Sequence, residues 1–165
     1  MEKKWYALYV KSRSEKKVAA ELGYLDIEYY LPLQKILKQW SDRKKWVEEP
    51  LFRSYLFVHI SADQYYDALN VNGAVKYVSF EGKAVPVPCQ QIEAIKYYLN
   101  EEAPEKTEDI HWEKGQRVEV ITGSLTGLTG ELVEVKGKHK VYVEIEAVGS
   151  AILLEIPKNK LRVIG

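Results

Sequence analysis

Cysteine is almost missing from this 165-residue chain, and Cys89 alone can form neither an intrachain disulfide nor a thiolate metal cluster. Long apolar runs are missing as well. None approaches the roughly 20 residues of a membrane span, and no basic and then hydrophobic leader opens the chain, so a cytoplasmic protein without membrane contact is expected. Net charge is also absent: 24 Lys and Arg balance 24 Asp and Glu, which argues against a protein that coats nucleic acid by bulk electrostatics. The three histidines, His59, His111 and His139, lie far apart, with no metal spacing, no nucleophile signature and no phosphate loop. No enzyme activity, cofactor or metal is therefore expected.

Charge is unevenly placed. Up to Arg53 there are twelve Lys or Arg against eight Asp or Glu, and the remainder is acidic by the same difference. Any phosphate contact should be local and belong to the amino-terminal half.

Periodicity divides the chain into a mixed head and an all-β tail. An aromatic strand, Trp5 to Val10, is followed by a helix capped by Ser14 and stopped by Gly23, with Val18, Ala19 and Leu22 facing inward. A strand is predicted over Tyr29 to Leu37, with Pro32 at an edge or bulge, and Lys38 to Glu49 reads as a hairpin or loop bounded by Trp40 and Trp46. Leu51 to Ile60 is the strongest strand signal, with large side chains on both faces. A short helix over Asp63 to Asn70, a strand over Val75 to Phe80 and a helix over Gln90 to Leu99 complete an α/β sandwich, residues 1–100. Ile92, Ile95 and Leu99 are its inward positions on the last helix.

Glu101 to His111 holds five acids, one lysine and a proline, too little apolar surface to offset ordering, and reads as a linker, residues 101–111. As a flexible coil it would span on the order of 18 Å. In the tail, residues 112–165, Val118 and Val120 alternate with Arg117 and Glu119, and Val141, Val143 and Ile145 alternate with Tyr142, Glu144 and Glu146. Gly123, Gly127 and Gly130 mark a tight turn. Five short strands imply a small closed barrel. The fold class is thus α+β, a ferredoxin-like α/β sandwich followed by a five-stranded SH3-like β-barrel.

Trp5-Tyr6, the run Pro50 to Val58 (PLFRSYLFV) and the stretch Val118 to Gly130, in this order and spacing, resemble the NusG family of transcription elongation factors. The resemblance covers nearly the whole chain: an NGN domain, a flexible linker and a KOW barrel. It implies a factor that binds the clamp helices of RNA polymerase through an NGN surface, suppresses pausing and termination, and recruits partners through the KOW domain. The matching polymerase-contact positions are Trp5, Tyr9, Phe52, Tyr55 and Phe57. Aromatic rings suit such a contact because they bury large area at low entropy cost, although rows of rings also build cores. Lys11, Arg13, Lys16 and Lys17 fall where the family places residues facing the non-template DNA; a solvated helix face is the other reading.

Departures from the family pattern point towards a specialised RfaH-like or UpxY-like paralogue. Phe52-Arg53-Ser54-Tyr55 replaces Phe-Pro-Gly-Tyr, so a tight-turn chemistry is lost while both aromatics survive, and Glu21 stands where RfaH carries a base-reading histidine, so that relative's sequence preference does not transfer. Gln64, Tyr65, Tyr66 and Asp67 replace RfaH's threonine-rich polymerase contact. In the KOW loop, Leu125 and Leu128 take positions that in relatives bind NusE or Rho; they either keep that contact or plug the barrel end. The implied protein is a monomer acting in processive antitermination.

Two other readings stand beside this one. Cys89 precedes a helix whose dipole could activate it, or it simply takes the place of a capping residue. The tail could instead be an RNA- or ribosome-binding KOW module acting in translation, with Lys136, Lys138, His139 and Lys140 as a basic turn, though five glutamates surround it.

Overall fold

The computed structural model describes residues 2–100 and 115–164, which fall into two compact units, Met1–Val87 and Pro88–Gly165. The linker expected at 101–111 lies outside the described residues. The last helix, expected with the sandwich, falls by its contacts into the second unit.

In the first unit an antiparallel sheet is built around β1 (Lys4–Val10), flanked by β5 (Tyr55–Ile60) and β6 (Ala74–Tyr77). Beyond β5 lies β2 (Glu28–Tyr30), and the short β9 (Pro86–Val87) also pairs with β1. Strand side chains alternate between faces, so register fixes what each face carries. One face presents Leu8 and Val10 from β1 and Leu56, Val58 and Ile60 from β5, all buried beneath α1 (Glu15–Tyr24) and α2 (Tyr65–Leu69). Val18, Ala19 and Leu22 of α1 complete this core, as their spacing predicts. Burying each aliphatic side chain contributes about 1.5–3 kcal/mol.

Several boundaries differ from the sequence reading for identifiable reasons. The Ser14 side chain makes no cap hydrogen bond. Gly23 does not stop α1: the helix closes with the Asp26 N–H bonded to the Gly23 carbonyl, the Ile27 N–H bonded to the Leu22 carbonyl, and Asp26 in the left-handed region at φ 57°. That is a Schellman closure with aspartate where glycine is usual. The strand expected over Tyr29 to Leu37 breaks at Leu31-Pro32, because proline has no N–H to give a ladder. It becomes β2 and β3 (Leu33–Gln39), and β3 forms a separate hairpin with β4 (Lys44–Pro50). A second small hairpin joins β7 (Ser79–Phe80) to β8 (Lys83–Ala84).

The second unit holds α3 (Cys89–Asn100) and an antiparallel sheet of β10 (Arg117–Val120), β11 (Thr129–Val135), β12 (Lys138–Ile145), β13 (Ser150–Leu154) and β14 (Leu161–Val163). Its order is β13-β12-β11-β10-β14. The five predicted strands are present, but the sheet is an open path with β13 and β14 as edges; the three-residue β14 pairs only with β10, so the expected closed barrel is not formed by backbone pairing. Val118, Val120, Val141, Val143, Ile152 and Leu154 are buried in it. Gly130 allows the close approach of β11 to β12: a Cβ there would sit 2.6 Å from the Tyr142 carbonyl oxygen. Gly127, at φ 93°, takes a turn conformation that L side chains resist. Helix α3 packs on β13, and the Tyr97 hydroxyl donates to the Glu155 carbonyl at 2.8 Å. Its Ile92, Ala94, Ile95 and Tyr98 are buried, whereas Leu99, expected inward, is only half-buried. No helix among the described residues is long and apolar enough to cross a membrane.

Candidate functional site

The face of the first sheet opposite α1 and α2 carries a row of rings. Register pairs Trp5 with His59, Ala7 with Phe57 and Tyr9 with Tyr55 across β1 and β5, and Tyr30 with Phe57 across β2 and β5. Trp5 stacks on His59 at 4.7 Å between centroids, and Tyr9 meets Tyr55 edge-on at 5.4 Å. Phe52 packs perpendicular to Phe57 at 6.2 Å, with Tyr30 on the same ring at 6.5 Å. Such cross-strand aromatic pairs contribute roughly 0.5–1.5 kcal/mol each beyond area burial.

All five rings assigned from the sequence therefore come together, but not with equal exposure. Trp5, Tyr9 and Tyr55 are half-buried, Phe52 is 7% exposed and Phe57 is 0% exposed. Phe57 fills the space over Ala7 and offers no surface to a partner. Its ring contacts are with Phe52 and Tyr30. Sequence reasoning missed Tyr30 and His59 as members of this row. The alternation Tyr55, Phe57, His59 carried the signal for His59; Tyr30 required the pairing of β2 with β5, which no local pattern gives. His59 is further held by its Nδ1, 2.8 Å from the Glu28 carboxylate.

The turn leading into β5 forms although the family's turn residues are replaced. The tight turn survives without proline or glycine: Ser54 adopts φ 67°, the Tyr55 N–H bonds to the Phe52 carbonyl at 3.2 Å, and the Ser54 carbonyl accepts the Val10 N–H at 2.8 Å. Glu15, buried at the start of α1, accepts the Ser54 N–H at 2.9 Å. A carboxylate from the first helix thus holds the loop that aims Tyr55.

The basic residues gather beside this turn. Lys11, Arg13, Lys16 and Lys17 are all exposed, and Arg13 occupies the left-handed region at φ 65° in a turn closed by the Ser14 N–H on the Lys11 carbonyl. Lys16 Nζ donates to the Glu48 carbonyl at 3.1 Å, tying α1 to β4. Arg13, Lys16, Lys38 and Arg53 line a groove of about 440 Å³ together with Glu15, Glu48 and Glu49. Its charge is mixed, so the cations that face solvent freely are Lys11 and Lys17 rather than the whole cluster.

In the second unit Leu125 and Leu128 are 5% and 3% exposed. They pack inside the turn, between the Val120 to Leu128 hydrogen bonds, and present no apolar surface. Lys140, one of the basic-turn residues, is buried with its Nζ 3.9 Å from the Glu155 carboxylate, which removes it from any RNA-facing set. Cys89 is exposed as the first residue of α3, with Sγ 3.7 Å from Gln90 Oε1 and no basic partner described there. Among the described residues no three His, Cys, Asp or Glu side chains gather at metal-binding distance.

Comparison with known proteins places this geometry. The NusG family profile, described as transcription termination factor nusG, matches residues 3–96. The transcription termination/antitermination protein NusG of Bacillus subtilis (strain 168) is 29% identical over 160 residues, covering 88% of this chain and 90% of that protein. A solved structure on domain interaction in Thermotoga maritima NusG aligns over 100% of this chain and 99% of its own, with a TM-score of 0.53 at 23% identity, a likeness of fold. Family profile, curated relative and fold agree: the chain belongs to the NusG family of transcription elongation and termination factors.

Proposed function

We propose that this protein is a transcription antitermination and elongation factor whose first unit binds the clamp helices of bacterial RNA polymerase through Trp5, Tyr9 and Tyr55. The observation that carries this reading is a row of half-exposed rings on the sheet face that α1 and α2 leave alone, with Trp5 stacked on His59 and Tyr9 set edge-on to Tyr55. Rings that keep part of their surface in water while fixed by neighbours suit an interface, because little side-chain entropy is left to lose on binding. Lys11 and Lys17, exposed at the same end of the unit, would meet phosphates of the non-template strand, contacts that position without reading sequence.

The second unit is read as the KOW domain, whose five-strand sheet would recruit NusE or Rho. Because Leu125 and Leu128 are buried, they would shape the recruiting turn rather than touch the partner. The replacements at Arg53-Ser54 and in the turn at Ser124-Leu125 favour a specialised paralogue over the general factor, while Glu21 and Gln64 to Asp67 depart from RfaH's own contacts.

The test is transcription in vitro by bacterial RNA polymerase through pause sites and a terminator. Added protein should shorten pausing and raise readthrough, and Tyr9→Ala with Tyr55→Ala should abolish both. Unchanged pausing and readthrough on the protein's native template would defeat the proposal.

A further inference from the structure

The ring row ends in charged corners that the fold itself does not require. Residues directly opposite in an antiparallel ladder share a face, so the pairing of Tyr9 with Lys76 across β1 and β6 sets that lysine beside the Tyr9–Tyr55 pair. The pairing of Glu28 with His59 across β2 and β5 sets a carboxylate beside the Trp5–His59 stack. Lys76 is exposed and has no ion pair among the described residues. Glu28 lies 2.8 Å from His59 Nδ1 yet keeps 55% of its side chain in solvent. The strand order β2-β5-β1-β6 puts the two charges on the outer strands, at opposite ends of the row that runs from Trp5 to Tyr9. Three strand spacings and four residues of rise separate them by about 20 Å along the diagonal. This exceeds the Debye length of about 8 Å, so neither charge stabilises the other. Each is left to act on whatever covers the rings between them.

We propose that Lys76 and Glu28 set the direction in which a protein partner lies across the rings. The partner surface carries an acidic group over Lys76 and a basic group over Glu28. Apolar contact with rings is non-directional, so the rings alone would accept that partner turned by half a revolution in the plane of the sheet. The turned partner would bring like charges together at both corners, and the charges thereby reject it. A nucleic acid, negative throughout, would be repelled at the Glu28 corner. The choice of the polymerase clamp as this partner rests on the function proposed above. The placement of the charges stands without it.

The experiment measures the affinity of the full-length protein for bacterial core RNA polymerase at about 0.1 M and about 1 M salt. Lys76→Glu and Glu28→Lys should each weaken binding at the lower salt by at least about threefold. The exchange variant carrying both should lose about the product, on the order of tenfold, because sites this far apart act additively. The exchange leaves net charge at zero, so its loss reports where the charges stand rather than how many there are. All three losses should shrink at the higher salt, where the Debye length falls to about 3 Å. Lys158→Glu, an exposed change of equal charge in the second unit, should stay within about twofold of wild type. Affinity within about twofold of wild type in a folded exchange variant, or an equal loss in Lys158→Glu, would overturn the proposal. Tighter oligonucleotide binding by Glu28→Lys with polymerase affinity unchanged would give the face to nucleic acid instead. Tyr9→Ala with Tyr55→Ala tests the polymerase reading separately. A loss there with none in the exchange variant defeats only the charge assignment, whereas a wild-type protein that does not bind polymerase defeats both.

Discussion

Ser54 shows how one residue can carry a turn its chemistry disfavours. A non-glycine residue in the left-handed region costs on the order of 1–2 kcal/mol, and Glu15 offsets this by accepting the Ser54 N–H from a buried position. Ser54→Gly should therefore raise stability by about 0.5–1 kcal/mol in urea unfolding, the relief of strain less the added freedom of the unfolded chain. A loss of stability would mean that the Ser54 side chain contributes more than its φ costs. Glu15→Ala should lower stability by about 1–3 kcal/mol, the cost of leaving that N–H unsatisfied, and urea unfolding reads this too. The aromatic positions on either side of this turn were legible from sequence. The turn was not, because the residue that holds it, Glu15, lies on another element 39 positions away.

At the level of elements, alternation predicts well where a strand has one wet and one dry face. Val118 and Val120 in β10, and Val141 and Val143 in β12, are buried as their period of two requires. It predicts less well where a proline or a tertiary contact cuts the run. Tyr29 to Leu37 divides at Pro32, and Leu51 to Ser54 is turn although it reads as strand. The β1–β5 pair with its covering helix forms the core of the first unit, so Leu22→Ala, which empties a fully buried site, should cost about 2–5 kcal/mol. Thermal or urea unfolding checks it; a cost below about 1 kcal/mol would indicate that α1 is not part of the cooperative unit. Tyr77 links β6 to α2 through its hydroxyl, which donates to the Tyr65 carbonyl at 2.7 Å, and burial pushes its phenol well above the usual tyrosine range, with Tyr65 and Tyr6 adding to the shift. A phenol whose folded pKa is raised gives stability that is complete below the unfolded value of about 10 and declines as pH rises past it. Alkaline unfolding should therefore begin near pH 10 and be less steep in Tyr77→Phe. An identical alkaline profile in that variant would assign the loss to other groups.

For the whole molecule, net charge is zero while the first unit is locally basic and carries a surface of rings, the combination on which the proposed nucleic-acid and polymerase contacts rest. A strand-rich second half was legible because its alternation and glycine turns are local signals, but the boundary at Val87 was not. Which rings stay accessible was not legible. Exposure depends on pairing between β1, β2 and β5, and these strands are separated in sequence by α1 and the β3–β4 hairpin.

The account depends most on the half-exposed rings, and the direct measurement is the equilibrium affinity of the full-length protein for bacterial core RNA polymerase. Tyr9→Ala with Tyr55→Ala should weaken binding by about 30-fold or more, as removal of an interface anchor does, while the unfolding midpoint shows the variant still folded. Affinity within about twofold of wild type in that folded variant would contradict the account.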